Sequence, residues 1–152
     1  MSSSIFAMAL DSIGKFLYIS DVCGDLKWIN IQEKRIKNMF GYTGLDLLIP
    51  KGLRSGICSM VLSSNARYLF TGDFEGGLLK WDLKLKRIKK KLVKAHDGSI
   101  FAMAVTKNIG NELLVTGDCH GYIKIWNLKK GTLLKELNKN NGEMIAALCI
   151  FG

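Results

Sequence analysis

The chain repeats itself three times. Ile5–Leu10 reads IFAMAL, Ile57–Leu62 reads ICSMVL and Ile100–Val105 reads IFAMAV. Each is followed by a second block: GKFLYISDVCGDLKWIN over 14–30, ARYLFTGDFEGGLLKWDL over 66–83 and NELLVTGDCHGYIKIWNL over 111–128. The leading isoleucines are 52 and 43 residues apart, and Trp28, Trp81 and Trp126 are 53 and 45 apart. A fourth copy opens at Ile145–Ile150. A period of this length marks stacked supersecondary units, each of which buries its apolar face only against a neighbour.

Within a copy the residues predict four strands. The first is apolar throughout, as in Ile100–Val105, and the second ends at Gly117-Asp118. The third alternates, as in Tyr122–Trp126, which is the period of a strand with one covered face. The fourth is lysine-rich, as in Arg87–Lys94. A strand apolar on both sides needs cover on both sides. A lysine-studded strand suits an exposed edge, where charge opposes edge-to-edge pairing. This inside-to-outside gradient describes four-stranded blades set radially around an axis. A sandwich of about twelve short strands is the competing architecture, but nothing in it requires a tryptophan in the same strand of every copy. The fold class is therefore all-β: a propeller of four-stranded antiparallel blades, incomplete in this chain. Blade 1 is expected over about 5–40, a loop insert over 41–56, blade 2 over 57–94, blade 3 over 95–137 and the first strand of a fourth blade over 144–151.

At these residues the chain resembles the WD-repeat β-propeller family, over nearly all its length except about Gly41 to Gly56. Trp81-Asp82 matches the family's Trp-Asp pair, Trp126-Asn127 stands in the same place, and Ala95-His96-Asp97-Gly98-Ser99-Ile100 is similar to its Gly-His opening. The resemblance implies a hydrogen-bonded chain of histidine, hydroxyl, acid and tryptophan, with His96, Thr116 and Trp126 as three of its members. The position six before the tryptophan holds His120 in copy three and Glu75 in copy two, and Asp118 lies two residues earlier. His96 reads as structural rather than catalytic. Copy one has one residue fewer between Gly24 and Trp28.

Composition narrows the remaining classes. A chain of 152 residues makes one domain. Hydrophobic residues form 48% of it, enough for a packed core, and its single proline, Pro50, excludes collagen-like and proline-rich chains. No stretch approaches the ~20 apolar residues of a membrane span. No basic lead precedes the short apolar run at Ile5, so no signal peptide is expected and the cytoplasm is the expected compartment, with the nucleus as the alternative. Cys23, Cys58, Cys119 and Cys149 have none of the paired spacings of zinc or redox sites and read as reduced, packed thiols. There is no nucleophile motif, Walker-type loop or metal-ligand cluster, so no enzyme activity, cofactor or metal is expected.

The expected function is a non-catalytic protein–protein interaction scaffold that binds partners through loops on one propeller face. The alternatives are a regulatory module of a larger enzyme and nucleic-acid binding through a basic outer strand. The turns 21–25, 73–77 and 118–122 and the connections 41–56, 95–99 and 138–143 are expected on one face. The outlier is the long connection carrying Tyr42, Leu45, Leu47, Leu48 and Ile49, either an adhesive loop or a segment tucked against the next blade. The net charge is +9, and Lys84, Lys86, Arg87, Lys89, Lys90, Lys91 and Lys94 crowd into one run. No aromatic interleaves that run, so it reads first as edge protection and second as a surface for nucleic acid or an acidic partner. Three blades fall short of the 4–8 or so that close a ring. The missing blades are expected from a longer chain, or else from self-association of this one.

Overall fold

Residues 4–21, 24–38, 56–92, 94–106, 111–138 and 141–150 are described by a computed structural model. They form three four-stranded antiparallel sheets in strict sequence order. The first holds β1 (Ile5–Leu10), β2 (Phe16–Asp21), β3 (Leu26–Asn30) and β4 (Arg35–Asn38). The second holds β5 (Ile57–Leu62), β6 (Tyr68–Asp73), β7 (Leu78–Asp82) and β8 (Arg87–Leu92). The third holds β9 (Ile100–Val105), β10 (Leu113–Asp118), β11 (Tyr122–Asn127) and β12 (Thr132–Asn138). β1, β5 and β9 pack side by side, so the apolar first strands form the inner layer and the lysine-bearing fourth strands the rim.

The turns are built from the same side chains each time. After the third strand, Asn30 Oδ1 accepts from the Gln32 and Glu33 amides, Asp82 Oδ1 from Lys84 and Leu85, and Asn127 Oδ1 from Lys130. An Asx turn needs only that oxygen, so asparagine and aspartate are interchangeable here. Arg67 adds a bidentate pair to Asp82, at 2.9 and 3.0 Å. That guanidinium, ahead of the turn amides, holds the Asp82 carboxyl down to about 2.

Register explains the core. Leu62, Leu69, Trp81 and Ile88 stand opposite one another across β5 to β8, and Val105, Leu114, Trp126 and Leu133 do the same across β9 to β12. Each row is the face a blade turns toward its predecessor. Leu69 and Trp81 pack with Ala7 and Leu26 of blade 1, and Leu114 and Trp126 with Phe70 and Leu78 of blade 2. The corresponding row of blade 1 is Leu10, Leu17, Ile29 and Ile36. Ile29, not Trp28, thus holds the tryptophan position. No residue is missing from β3: Leu26 pairs with Ser20 as Leu78 pairs with Gly72, so the tryptophan of copy one stands one position earlier in its strand, and a one-residue shift turns a side chain to the other face of a sheet. Trp28 consequently lies on the row Ala9, Tyr18, Trp28, Lys37, packed against the core shared with blade 2. The three tryptophans recur in sequence, but only two of them are equivalent in space.

Blades are also joined by a close approach. The Cβ of Ile100 lies 2.7 Å from where a Cβ on Gly72 would stand, and that of Ile145 lies equally close to one on Gly117. In blade 1 the same position is Ser20, whose hydroxyl donates to the Ile57 carbonyl at 3.2 Å. Gly72→Ala should therefore overpack the junction of blades 2 and 3 and cost about 1–3 kcal/mol. Urea midpoints measure it, and an unshifted midpoint would show that Ile100 yields freely.

The expected first strand of a fourth blade differs in detail. Ile145 donates its amide to the Asp118 carbonyl at 2.9 Å and covers Gly117, as Ile100 covers Gly72. No strand is assigned over 143–150, however. A ladder requires a second strand beside it, and the described residues contain none for this segment.

Candidate functional site: the turn face and the outer junction

The structure brings His96, Asp118, Thr116 and Trp126 into one buried chain. Trp126 Nε1 donates to Thr116 Oγ1 at 2.9 Å, and Thr116 Oγ1 lies 2.7 Å from His96 Nε2. His96 Nδ1 lies 2.8 Å from Asp118 Oδ2. The carboxylate accepts only, so Nδ1 carries the hydrogen, and Nε2 accepts from the threonine hydroxyl. Burial lowers the His96 pKa, outweighing the opposing pull of Asp118. A neutral imidazole satisfies every partner. Protonation would turn the Thr116 hydroxyl away, toward the Lys124 carbonyl at 3.5 Å. Asp118 reaches His96 because its other oxygen caps the β10–β11 turn, accepting from the His120 and Tyr122 amides at 2.9 Å. The acid is therefore Asp118, the last residue of β10, and His120 stands aside against Gly98. Blade 2 keeps part of the arrangement: Trp81 Nε1 donates to Thr71 Oγ1 at 2.9 Å. In blade 1, Ile19 replaces the threonine.

All four side chains are at most 8% exposed, so nothing in solution reaches them and the chain is a brace. It has a pH signature. The unfolded imidazole binds a proton near pH 6.5 or so, whereas the folded one resists it. Stability should thus be full above that value and fall as the pH drops below it. Melting temperatures from pH 7.5 to 5 or so should decline in wild type and decline less in His96→Gln. Parallel curves would show that His96 contributes nothing to the slope.

What the brace holds is the turn face. The Gly76 carbonyl accepts from the His96 amide at 3.1 Å, and the Ser99 carbonyl accepts from Cys119 at 3.0 Å. Gly76 sits at φ +79°, with the His96 backbone packed where a side chain would begin. Turns and inter-blade connections are thereby tied together. Phe74, at the β6–β7 turn, has its ring 5.0 Å from that of Phe6 and 6.0 Å from that of Phe101, both edge-to-face. Three blades each contribute one ring, and Phe6 remains 45% exposed. Ile5-Phe6 and Ile100-Phe101 were visible as matching pairs in the sequence, but nothing there linked them to Phe74. Tyr42, Leu45, Leu47, Leu48 and Ile49 lie outside the described residues.

The basic run is divided by its strand. Lys90 pairs across β7 with Lys80 and Leu92 with Leu78, on the face turned to blade 3, while Lys91 pairs with Leu79 on the face turned to blade 1. Lys84, Lys86, Arg87 and Lys94 are exposed around the ends of β8. An aromatic does join the cations, although none lies within their run. The Tyr68 ring has the Lys80 ammonium 4.0 Å from its centre and the Lys89 ammonium 5.0 Å away. Cys58, Cys119 and Cys149 are free thiols, and burial pushes Cys58 up to about 12, which leaves it inert. Among the described residues no cluster of three metal-ligating side chains occurs.

The sequence matches no family model and no curated protein. Solved structures are similar in shape. The WD40 repeats of RRP9 align with 97% of this chain at a TM-score of 0.79 and 17% identity, and U3-55K gives the same values. The computationally designed Ika4 protein aligns with 100% of this chain and 82% of its own length, at a TM-score of 0.76 and 20% identity. The chain spans 42% of the RRP9 and U3-55K chains. It therefore has the fold of WD-repeat propeller blades, three in succession, in a ring that this chain does not close.

Proposed function

We propose that the chain is a non-catalytic scaffold that docks protein partners on its turn face, centred on Phe6, Phe74 and Phe101. The observation that carries this reading is the shared aromatic ridge, to which three separate blades contribute. Aromatic side chains on a rigid frame lose little freedom on binding and dominate interface energetics. The frame is rigid because the turns that present the ridge are hydrogen-bonded to neighbouring connections and braced from beneath by His96 and Asp118.

Quantitative copurification of the tagged protein from its own cells tests the reading, with wild type compared to Phe6→Glu and Phe101→Glu. Specific partners should fall by on the order of tenfold, since loss of one aromatic anchor is worth more than 1 kcal/mol or so. The melting temperature of Phe6→Glu should stay close to wild type. Partner recovery unchanged in both variants would remove the ridge from any docking role.

A further inference from the structure

The two inter-blade junctions are not alike. In the first, Trp28 of blade 1 fills the outer part of the contact with blade 2. In the second, the equivalent position on β7 is Lys80, and the next residue outward is Lys90. Lysines do not plug an apolar junction, and a cleft of about 210 Å³ opens there. Its floor is apolar, formed by Phe70, Leu78, Leu114 and Trp126. Its rim carries Lys80, Lys89, Lys90, Lys129 and Lys130, brought together from β7, β8 and the β11–β12 turn. None of these five forms an ion pair with a carboxylate among the described residues. Lys89 donates to the Tyr68 hydroxyl at 3.1 Å and Lys90 to the Gly131 carbonyl at 2.7 Å. Glu112 stands at the end of an adjoining hollow, where it accepts from Ser64. Burial at the edge of the apolar floor lowers the pKa of Lys80, outweighing the opposing pull of Tyr68 and Glu112.

We infer that this cleft is a binding site for an acidic peptide segment, which inserts one large apolar side chain where Trp28 sits in the first junction and pairs its carboxylates with the lysine rim. Both halves of the chemistry are needed. The floor buries an apolar group, and the rim supplies the charge-assisted bonds that a carboxylate beside it accepts. The volume suits one side chain and excludes a folded element. Single-stranded nucleic acid fits less well, since it binds through open aromatic faces. Here the Tyr68 ring is already engaged by Lys80 and Lys89, and Phe70 and Trp126 are buried. The site is formed by facing sides of blades 2 and 3, apart from the turn-face ridge, so it stands or falls independently of that reading.

Panning short random peptides displayed on phage against the protein tests this. Enriched sequences should carry one large apolar residue flanked by carboxylates. Their affinity should drop on the order of tenfold or more with Lys90→Glu/Lys129→Glu, which reverses two rim charges. Lys80→Trp, which restores the plug of the first junction, should abolish binding and leave the protein folded by circular dichroism. Lys86→Glu, outside the cleft, should change binding little. Enriched peptides without the acidic and apolar pattern would overturn the proposal. So would binding that survives Lys80→Trp, or an oligouridylate that binds as tightly as the peptides and loses as much in the rim variant.

Discussion

Trp126→Ala should cost about 3–5 kcal/mol of folding free energy, the range for truncating a buried aromatic. Two losses combine. The indole fills the junction between blades 2 and 3 beside Leu114, Phe70 and Leu78, and its removal leaves a cavity bounded by two blades. It also withdraws the N–H that Thr116 accepts, so a buried hydroxyl keeps His96 as a partner but loses its donor. Trp28→Ala should cost less, because Trp28 is only partly buried and its ring meets the Phe16 ring and the Lys37 ammonium rather than a buried hydroxyl. Denaturant midpoints for the two variants check both statements. Equal losses would mean that the face on which a tryptophan lies is irrelevant to its contribution.

Residues 1–152 prepared alone should associate in a concentration-dependent way. The row Leu10, Leu17, Ile29 and Ile36 matches the rows that blades 2 and 3 bury against their predecessors, yet no described blade precedes blade 1. Met8 and Ile36 are each 62% exposed and Leu10 54%. Blade 3 offers Ala104, Val115, Ile125 and Lys135 on its far side, the same register as the blade 1 face that receives blade 2. The two open faces are therefore complementary in kind, and a contact of this sort either closes or propagates. Light scattering should show a mass that rises with concentration, and Met8→Lys/Leu10→Lys should lower it toward that of one chain. A constant single-chain mass in the high micromolar range would show that the faces do not meet.

The strands were legible because each is short, regular and bounded by Gly/Asp turns, and because the same signals recur three times. The face on which a residue falls was harder to read. Trp28 aligned with Trp81 and Trp126 by type, but it stands one position earlier in its strand and so on the opposite face, and only pairing register reveals that. The acid of the brace was ambiguous for a related reason. Position counted back from the tryptophan selects His120, whereas the turn geometry selects Asp118, whose two oxygens serve the turn and the imidazole separately. The cleft was not legible at all. Lys89 and Lys90 belong to a run that reads as edge protection, and Lys129 and Lys130 lie some forty residues later in an unremarkable turn. Only the stacking of blades makes them one rim.

The isoleucines that cover Ser20, Gly72 and Gly117 also set an order in time. Each belongs to the blade after the one it covers: Ile57 meets blade 1, Ile100 blade 2 and Ile145 blade 3. No blade is completed by its own residues. As the chain leaves the ribosome, a blade becomes fully packed only after the opening residues of its successor have emerged, so maturation runs vectorially from the first unit to the last. A pause in synthesis just before Ile57 or Ile100 would hold the preceding unit with its socket empty, and a pause just after would let it close.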